Sequence, residues 1–592
     1  MLIPKSNPRN RSSAIDRLTE AAGWTRVLMP QQRLRRLYES SQDALGANVF
    51  ESLLNALEVN CAAKDRDLEW IPKAGATIVV ANHPFGMLDG LLIGALLLRV
   101  RSDVKIVANR LLASIPELSP YCVYVEAIDS NQKLANASGL REAIRHLKAG
   151  GMLVLFPAGE VAHWSLRNMS IGDSSWNHSA ARLSQMTGAP VVPVWIHGTN
   201  SFSFHASGLI HPKLRTLQLP RELLNKRGQN VAISVGPPVK ADKLTDTGDP
   251  GTATSMLRWN ADVLSLRAAP NQHRWHLRMP RFVKPIARGI DPSLLARELH
   301  SLPPDACLHQ QGEFDVYELS TEQAPNVVCE IGRLREISFR QAGEGTGKSV
   351  DLDRFDDYYT HLVLWNREAQ QIAGGYRLGS VREILPRYGI NGLYTATLFH
   401  YDESFFESTG AALELGRSFV TLEYQRNYLP LLLLWKGIGA HLLRHPEGPV
   451  LFGALSVSNA YSPASREVMT AFLRAQMAPR HLVEKVQSRV PFRRVARCSL
   501  SREQSFSRLL TLGDVSDRVC GWEADGKDLP ILVKHYLRLG GKTLAFAVDP
   551  KFSDSLDALI MVDLRASNPA LLSKYIGKSG ARVFFSAISA AS

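Results

Sequence analysis

The stretch Asn82-His83-Pro84-Phe85-Gly86-Met87-Leu88-Asp89 constrains the fold of this chain more than any other, because it joins two strongly patterned runs. Before it, Ala76-Thr77-Ile78-Val79-Val80-Ala81 is apolar and β-branched, the pattern of a buried strand. After it, Leu91 to Leu98 is apolar and suits a helix packed on that strand. A strand running directly into a helix calls for an α/β layer architecture. Pro84 pushes His83 out of helical backbone geometry and itself suits the first position of the following helix. The imidazole is therefore expected at a strand-to-helix turn, where side chains can face a pocket. Asp89 lies about 240° further round a regular helix, at about 100° per residue. Pairing requires His83 to stand off the helix and lean back over its first turn. A carboxylate so placed would fix the imidazole tautomer and make His83 a general base. From these residues alone, a His-Pro turn with an incidental surface aspartate is the rival reading.

Two later strands carry similar endings. Met152-Leu153-Val154-Leu155-Phe156 runs into Pro157-Ala158-Gly159-Glu160, and Ala189-Pro190-Val191-Val192-Pro193-Val194-Trp195-Ile196 runs into His197-Gly198-Thr199-Asn200-Ser201. In this order the three blocks resemble the motifs of the lysophospholipid acyltransferase family, over roughly residues 70 to 240. The resemblance implies an N-terminal glycerolipid acyltransferase-like α/β domain that moves a fatty acyl group from a thioester to a hydroxyl. It implies His83 as base, Asp89 as its partner, and Asn82, Gly159 and Glu160 as substrate-binding residues. Three departures stand out. Five residues separate His83 from Asp89 where the family usually has four. Ala158 holds the place of the usual acid, and Glu160 follows the glycine instead. The segment Cys122-Val123-Tyr124-Val125-Glu126-Ala127 lacks the arginine that family members direct at an acceptor phosphate. Without such an arginine or a helix N-terminus a phosphate monoester loses its usual partner, so the acceptor is not expected to be a lysophosphatidic acid.

At 592 residues the chain exceeds one ordinary core, and two or more domains are expected. Six scattered cysteines show no paired spacing, which argues against a zinc site or a disulfide scaffold and suits a reducing cytoplasm. No apolar run approaches the roughly 20 residues of a spanning helix, and no signal peptide is expected. The net charge of +13 calls for an acidic partner. Nucleic acid is set aside, since no zinc finger, RNA-binding signature or aromatic-basic repeat is present. An anionic membrane surface or an acidic acyl carrier protein fits better.

Along the chain, residues 1–60 read as an N-terminal helical segment, in which 14–45 is loosely amphipathic. Residues 61–265 form the O-acyltransferase domain, with a short helix over Arg141–Leu147. Residues 266–290 read as a basic, proline-broken linker carrying Arg267, Arg274, Arg278, Arg281, Lys284 and Arg288. Residues 291–592 follow a different pattern: a helix over Asn326–Arg340, the acidic Asp351-Leu352-Asp353-Arg354-Phe355-Asp356-Asp357, strands around 361–365 and 371–378, Ala412–Val420, then a helix ending near Arg444. Asp353-x-x-Asp356, Gly375-Tyr376-Arg377-Leu378 and Glu414-Leu415-Gly416-Arg417-Ser418-Phe419-Val420 resemble the N-acyltransferases related to GNAT enzymes and acyl-homoserine-lactone synthases, often labelled haemolysin-like. This likeness implies a C-terminal GNAT-like α+β domain that places an acyl chain on an amine. An amine must lose a proton before attack, and carboxylates hold a cationic acceptor. Asp353, Asp356 and Glu414 are the candidates, Glu414 as the catalytic one. Arg377 and Arg417 are candidate substrate contacts, Arg417 forking the acceptor carboxylate. A structural Glu-Arg pair beside an acidic loop is the rival reading.

The fusion resembles the bifunctional ornithine lipid synthases of bacteria. That implies N-acylation of ornithine with a 3-hydroxyacyl chain by the C-terminal domain, then O-acylation of the lyso-lipid by the N-terminal domain. It also implies no cofactor, acyl-acyl carrier protein as donor, and a peripheral position on the cytoplasmic face of the inner membrane. The basic residues Arg480, Lys485, Arg489, Arg493, Arg494 and Arg497 are the expected carrier-docking cluster. The alternatives are a synthase of glycine, lysine or glutamine lipid, a 1-acylglycerol-phosphate acyltransferase with an accessory domain, and a non-enzymatic haemolysin-like membrane protein.

Overall fold

The computed structural model describes residues 48–110, 113, 116–125, 135–165, 170–267, 283–446, 448–492 and 509–591. The amphipathic segment 14–45, most of the basic stretch from Arg267 to Arg288, the Glu126-Ala127 pair and Arg493, Arg494 and Arg497 lie outside the described residues. The chain divides into two compact units, one of residues 1–272 with 496–509 and one of residues 273–495 with 510–592.

The first unit is built on β1 (Asn60–Ala63), β2 (Thr77–Ala81), β3 (Val104–Asn109), β4 (Cys122–Val125), β5 (Met152–Leu155), β8 (Val191–Ile196) and β9 (Asn230–Val235). A separate hairpin pairs β6 (His163–Ser165) with β7 (Ser170–Gly172). The sheet order is β1-β9-β8-β2-β5-β3-β4, parallel throughout except between β8 and β9. The order explains the three motif blocks. β2 is central and wholly buried, and its two neighbours are the strands that carry the other blocks. All three blocks therefore emerge side by side at the carboxyl ends of parallel strands, where α/β sheets place ligands.

The helix α1 (Met87–Leu98) follows β2 and buries Leu91, Leu92, Ile93, Ala95 and Leu96 against the sheet and Phe50. Gly94 is required there, since a Cβ would lie 2.7 Å from the Phe50 ring. The helix begins at Met87, not at Pro84 as the sequence suggests. The N–H groups of Phe85 and Gly86 turn toward the Asp89 carboxylate, so Pro84–Gly86 forms its own turn ahead of the helix. The expected helix over 141–147 is longer, Ala135–Lys148.

The second unit holds an eight-stranded sheet ordered β10-β11-β12-β13-β15-β16-β19-β18. Its strands are β10 (Cys307–Gln311), β11 (Phe314–Leu319), β12 (Thr360–Asn366), β13 (Gln371–Ser380), β15 (Ala412–Val420), β16 (Val450–Val457), β18 (Lys542–Asp549) and β19 (Ser555–Asp563). β14 (Phe399–Tyr401) and β17 (Val486–Ser488) pair separately. The expected helices appear as Pro325–Gln341 and Leu429–Arg444. β15 and β16 are the parallel neighbours in an otherwise antiparallel sheet, and their ladder covers only Ala412–Glu414 against Val450–Phe452. The ladder ends there, although β15 continues to Val420 and β16 to Val457.

Both ends of the expected linker are structured. Arg267 belongs to the first unit, in a buried forked ion pair with Asp67 at 2.8 and 2.9 Å. Lys284 and Ala287 donate their backbone N–H to Gly347 and Ser349, which attaches that end to the second unit.

Candidate active sites

In the first unit, His83 leans back over the first turn of α1. Its Nδ1 lies 2.8 Å from Asp89 Oδ2, the pairing that the six-residue step requires. The same oxygen accepts the backbone N–H of Phe85 and of Gly86, each at 2.9 Å. The extra residue between His83 and Asp89 is taken up by the turn at Gly86, whose φ of +93° favours glycine. Asp89 is fully buried, whereas the His83 side chain keeps 19% exposure. A carboxylate receiving Nδ1–H leaves the Nε2 lone pair facing outward, the arrangement of a general base.

The remaining motif residues brace this pair. Asn82 joins β2 to β8, donating to the Ile196 carbonyl at 2.9 Å and accepting the Ile196 N–H at 2.7 Å. It is a buried clamp between the two strands. Phe156 stacks on the His83 ring at 4.5 Å. Gly159 turns the chain with φ +70°, and Glu160 forms an ion pair with Arg215 at 2.7 Å, so the displaced acid is already neutralised.

Two residues here carry no signal in the sequence. Asp173 accepts the His83 backbone N–H at 3.1 Å and the Trp176 indole N–H at 2.9 Å, and burial pushes its carboxyl up. Lys226 lies 4.7 Å over the Phe85 ring and donates to the Thr199 carbonyl, and burial pulls its ammonium down. Neither lies at a fixed spacing from a motif.

In the second unit the acidic stretch meets three arginines. Arg335 forks onto Asp356 at 2.9 and 3.0 Å and approaches Asp351 at 3.3 Å. Arg377 reaches Asp353 at 2.7 Å and Asp356 at 3.1 Å, and Arg417 lies 3.5 Å from both Asp351 and Asp353. Burial would raise the Asp356 carboxyl, but Arg335 and Arg377 outweigh it and hold the group well below the usual range. Arg417 sits on a bulge with φ +51°, where β13 and β15 shift register, which aims its guanidinium off the sheet at the Tyr394 ring, 4.8 Å away.

The expected division of labour changes on this geometry. Asp356 and Arg377 are buried partners of each other through Arg377 Nη1, while Nε and Nη2 of Arg377 make no hydrogen bond. Glu414 is 1% exposed and accepts the Tyr359 hydroxyl and the N–H groups of Tyr394 and Thr395, so it braces the 394–395 turn instead of standing free as a base. A second carboxylate of this unit is as deeply buried, at 2% exposure. Asp557 on β19 faces Ser456 across the ladder, accepts its hydroxyl at 2.5 Å, and burial raises its carboxyl to about 7. Glu344, whose nearest charged influence is Asp557, is raised to about 8 for the same reason. Sequence reading passes over Asp557 because Ser555-Leu556-Asp557 looks like ordinary strand alternation. Breaking the buried network has a cost: Arg335→Met removes the forked partner of Asp356 and leaves it to Arg377 alone, and a loss of about 3 kcal/mol is expected in denaturant unfolding.

Of the expected carrier-docking cluster, Arg480 is exposed and pairs with Glu484, while Lys485 and Arg489 bind the carbonyls of Ser404 and Ala396.

Comparison with known proteins agrees with both units. A family model described as "Acyltransferase" matches residues 51–265, and one described as "Acetyltransferase (GNAT) domain" matches residues 334–436. The chain thus carries an acyltransferase-like N-terminal α/β domain and a C-terminal GNAT domain, both of them acyltransferase domains. It is 41% identical over 170 residues to a glycine N(alpha)-acyltransferase of Phocaeicola vulgatus, a match covering 27% of this chain and 52% of that protein. It therefore spans about half the length of that relative. A lyso-glycine lipid O-acyltransferase of the same organism is 24% identical over 238 residues, covering 38% of this chain and 81% of that protein. An L-ornithine N(alpha)-acyltransferase of Rhodobacter capsulatus is 26% identical over 264 residues, covering 42% of this chain and 91% of that protein. Among the described residues no helix is long and apolar enough to cross a membrane, and no cluster of metal-ligating side chains occurs.

Proposed function

We propose that this chain is a bifunctional aminolipid synthase. Its GNAT domain N-acylates an α-amino acid with a 3-hydroxyacyl chain, and its N-terminal domain then esterifies the new 3-hydroxyl. The observation that carries this reading is the presence in one chain of both domains, each similar to enzymes whose names describe one of these two steps.

In the first domain, His83 takes the proton of the acceptor hydroxyl as its oxygen attacks the thioester carbonyl; the C–S bond then breaks and the imidazolium returns the proton to the leaving thiolate. Asp89 holds the imidazole in the reactive tautomer and stabilises the imidazolium. In the second domain, the edges of β15 and β16 beyond their short ladder offer backbone groups to the amides of an extended carrier arm. Asp557 accepts the amine proton, and Arg417 holds the acceptor carboxylate.

Ornithine is our first acceptor, with Glu344 as the candidate carboxylate for a second ammonium. Glycine is the second reading, favoured by 41% identity to a glycine enzyme against 26% to an ornithine enzyme. The donor we propose is an acyl carrier protein, drawn by the basic surface, acting without a cofactor at the cytoplasmic membrane face. Mass spectrometry of lipid extracts from a host expressing the chain tests this. Ornithine or glycine lipids with two acyl chains are expected, and an unchanged lipid profile sinks the proposal. Charge reversal at Arg480 is expected to raise the KM for acyl carrier protein a few-fold, less so in high salt. Equal use of acyl-CoA with no salt effect would count against the carrier.

A further inference from the structure

Directly after the third motif block the chain leaves the sheet as three short helices, α2 (Phe202–Ile210), α3 (Pro212–Leu217) and α4 (Leu219–Leu224). Their inner side is tied to the first site. Leu219 packs on the Gly86 turn, with its Cδ2 3.2 Å from where a Cβ would stand. Arg215 holds Glu160, Phe204 and Leu223 are buried, and Lys226 covers Phe85.

The outer side breaks the usual pattern. Phe202 is 84% exposed, more than any other large apolar side chain among the described residues, and Leu209 and Leu217 are 52% and 47% exposed. Phe202 and Leu209 are seven positions apart on α2, which returns them to within ~20° of each other round the helix. They form one apolar stripe facing water. The same segment exposes Arg221 and Arg227, the latter beside Glu58 at the surface. Apolar side chains standing among cations match the acyl-headgroup boundary of an anionic bilayer, where rings bury and basic groups stay at the phosphates.

We propose that α2–α4 is a membrane-docking face that seats the first site on an anionic bilayer, so that a lipid acceptor reaches His83 without leaving the membrane. The inference rests on reading that site as an O-acyltransferase of a lipid. Its occupant is argued from three features together: the exposed stripe, the exposed arginines of the same segment, and the direct packing of that segment on the His83 turn.

The test uses the full chain with vesicles of phosphatidylcholine alone or mixed with phosphatidylglycerol. Phe202→Glu combined with Leu209→Glu should lower partitioning onto the mixed vesicles by ~10-fold or more. Phe202→Gln with Leu209→Gln should act in the same direction, which separates lost insertion from added negative charge. Both side chains are exposed, so thermal unfolding should not move. KM for a vesicle-embedded lyso-lipid should rise, while kcat/KM for a short-chain, monodisperse acceptor stays unchanged. Undiminished partitioning by both variants overturns the proposal. So does a change in oligomeric state in place of vesicle binding, which would assign the face to a second copy. Vesicle binding is read without turnover, so the docking result stands apart from whether the site proves to be an O-acyltransferase.

Discussion

Replacing His83 with alanine is expected to abolish the diacylated lipid while the monoacylated amino acid accumulates. The imidazole pairs buried support with an outward face. Its Nδ1 is held by Asp89 at 2.8 Å, and its ring rests on Phe156. Loss of a general base typically costs about 10²- to 10⁴-fold in rate. His83→Ala should leave folding largely intact, because the backbone of the turn is held by Asp173 and by the Ala162 N–H, not by the ring. Asp89→Asn should also be severe, since a neutral amide cannot stabilise the imidazolium that forms when His83 takes the proton. Chromatography of labelled lipid from cells carrying each variant reads both products at once. Undiminished diacylated product from His83→Ala would remove His83 from the reaction.

The first site was legible because its information is local. A buried strand, a proline-restricted turn and a carboxylate at a fixed step along the chain define His83 and Asp89 almost completely. Adjacent parallel strands then bring the other two blocks to the same sheet edge. What stayed hidden is contributed across long separations. Asp173 reaches His83 from ninety positions away, Arg215 reaches Glu160 from a helix beyond the third block, and Lys226 arrives from beyond α4. No periodicity links such pairs.

The second site shows the opposite failure. Asp353, Asp356, Arg377 and Arg417 were all identified, and they do come together. The sequence could not show that Arg335, buried in the middle of a helix, takes both oxygens of Asp356. Counting acids in a stretch gives the charge of a loop, whereas which acid remains free depends on partners that only the fold supplies. Glu414 illustrates the point: a strand position next to Arg417 looks catalytic until the 394–395 turn is seen to occupy it.

That revision leads to the second large effect. Asp557→Asn is expected to lower N-acylation by about 10²-fold or more, and to remove both lipid products, because the hydroxyl for the second step exists only after the first. The pH dependence should identify the role. With the Asp557 carboxyl raised to about 7, the wild-type rate should climb as pH rises through that value and the carboxylate forms. Asn cannot ionise, so the residual rate should lose this rise. The effect on stability has a defined sign as well. The folded-state value is raised above the unfolded value of 3.8, so the contribution is complete below that value and is lost as pH rises through about 7. Asp557→Asn should therefore flatten stability between those limits, and the protein should be at least as stable as wild type at pH 8. Denaturant unfolding at pH 5 and pH 8 separates the two readings of a lost activity. Glu414→Gln is the contrasting case: it should lower the N-acylation rate by loosening the Tyr394 turn, yet keep the rise through pH 7. If Glu414→Gln erases that rise and Asp557→Asn keeps it, the proton passes to Glu414, and the assignment made from the geometry is reversed.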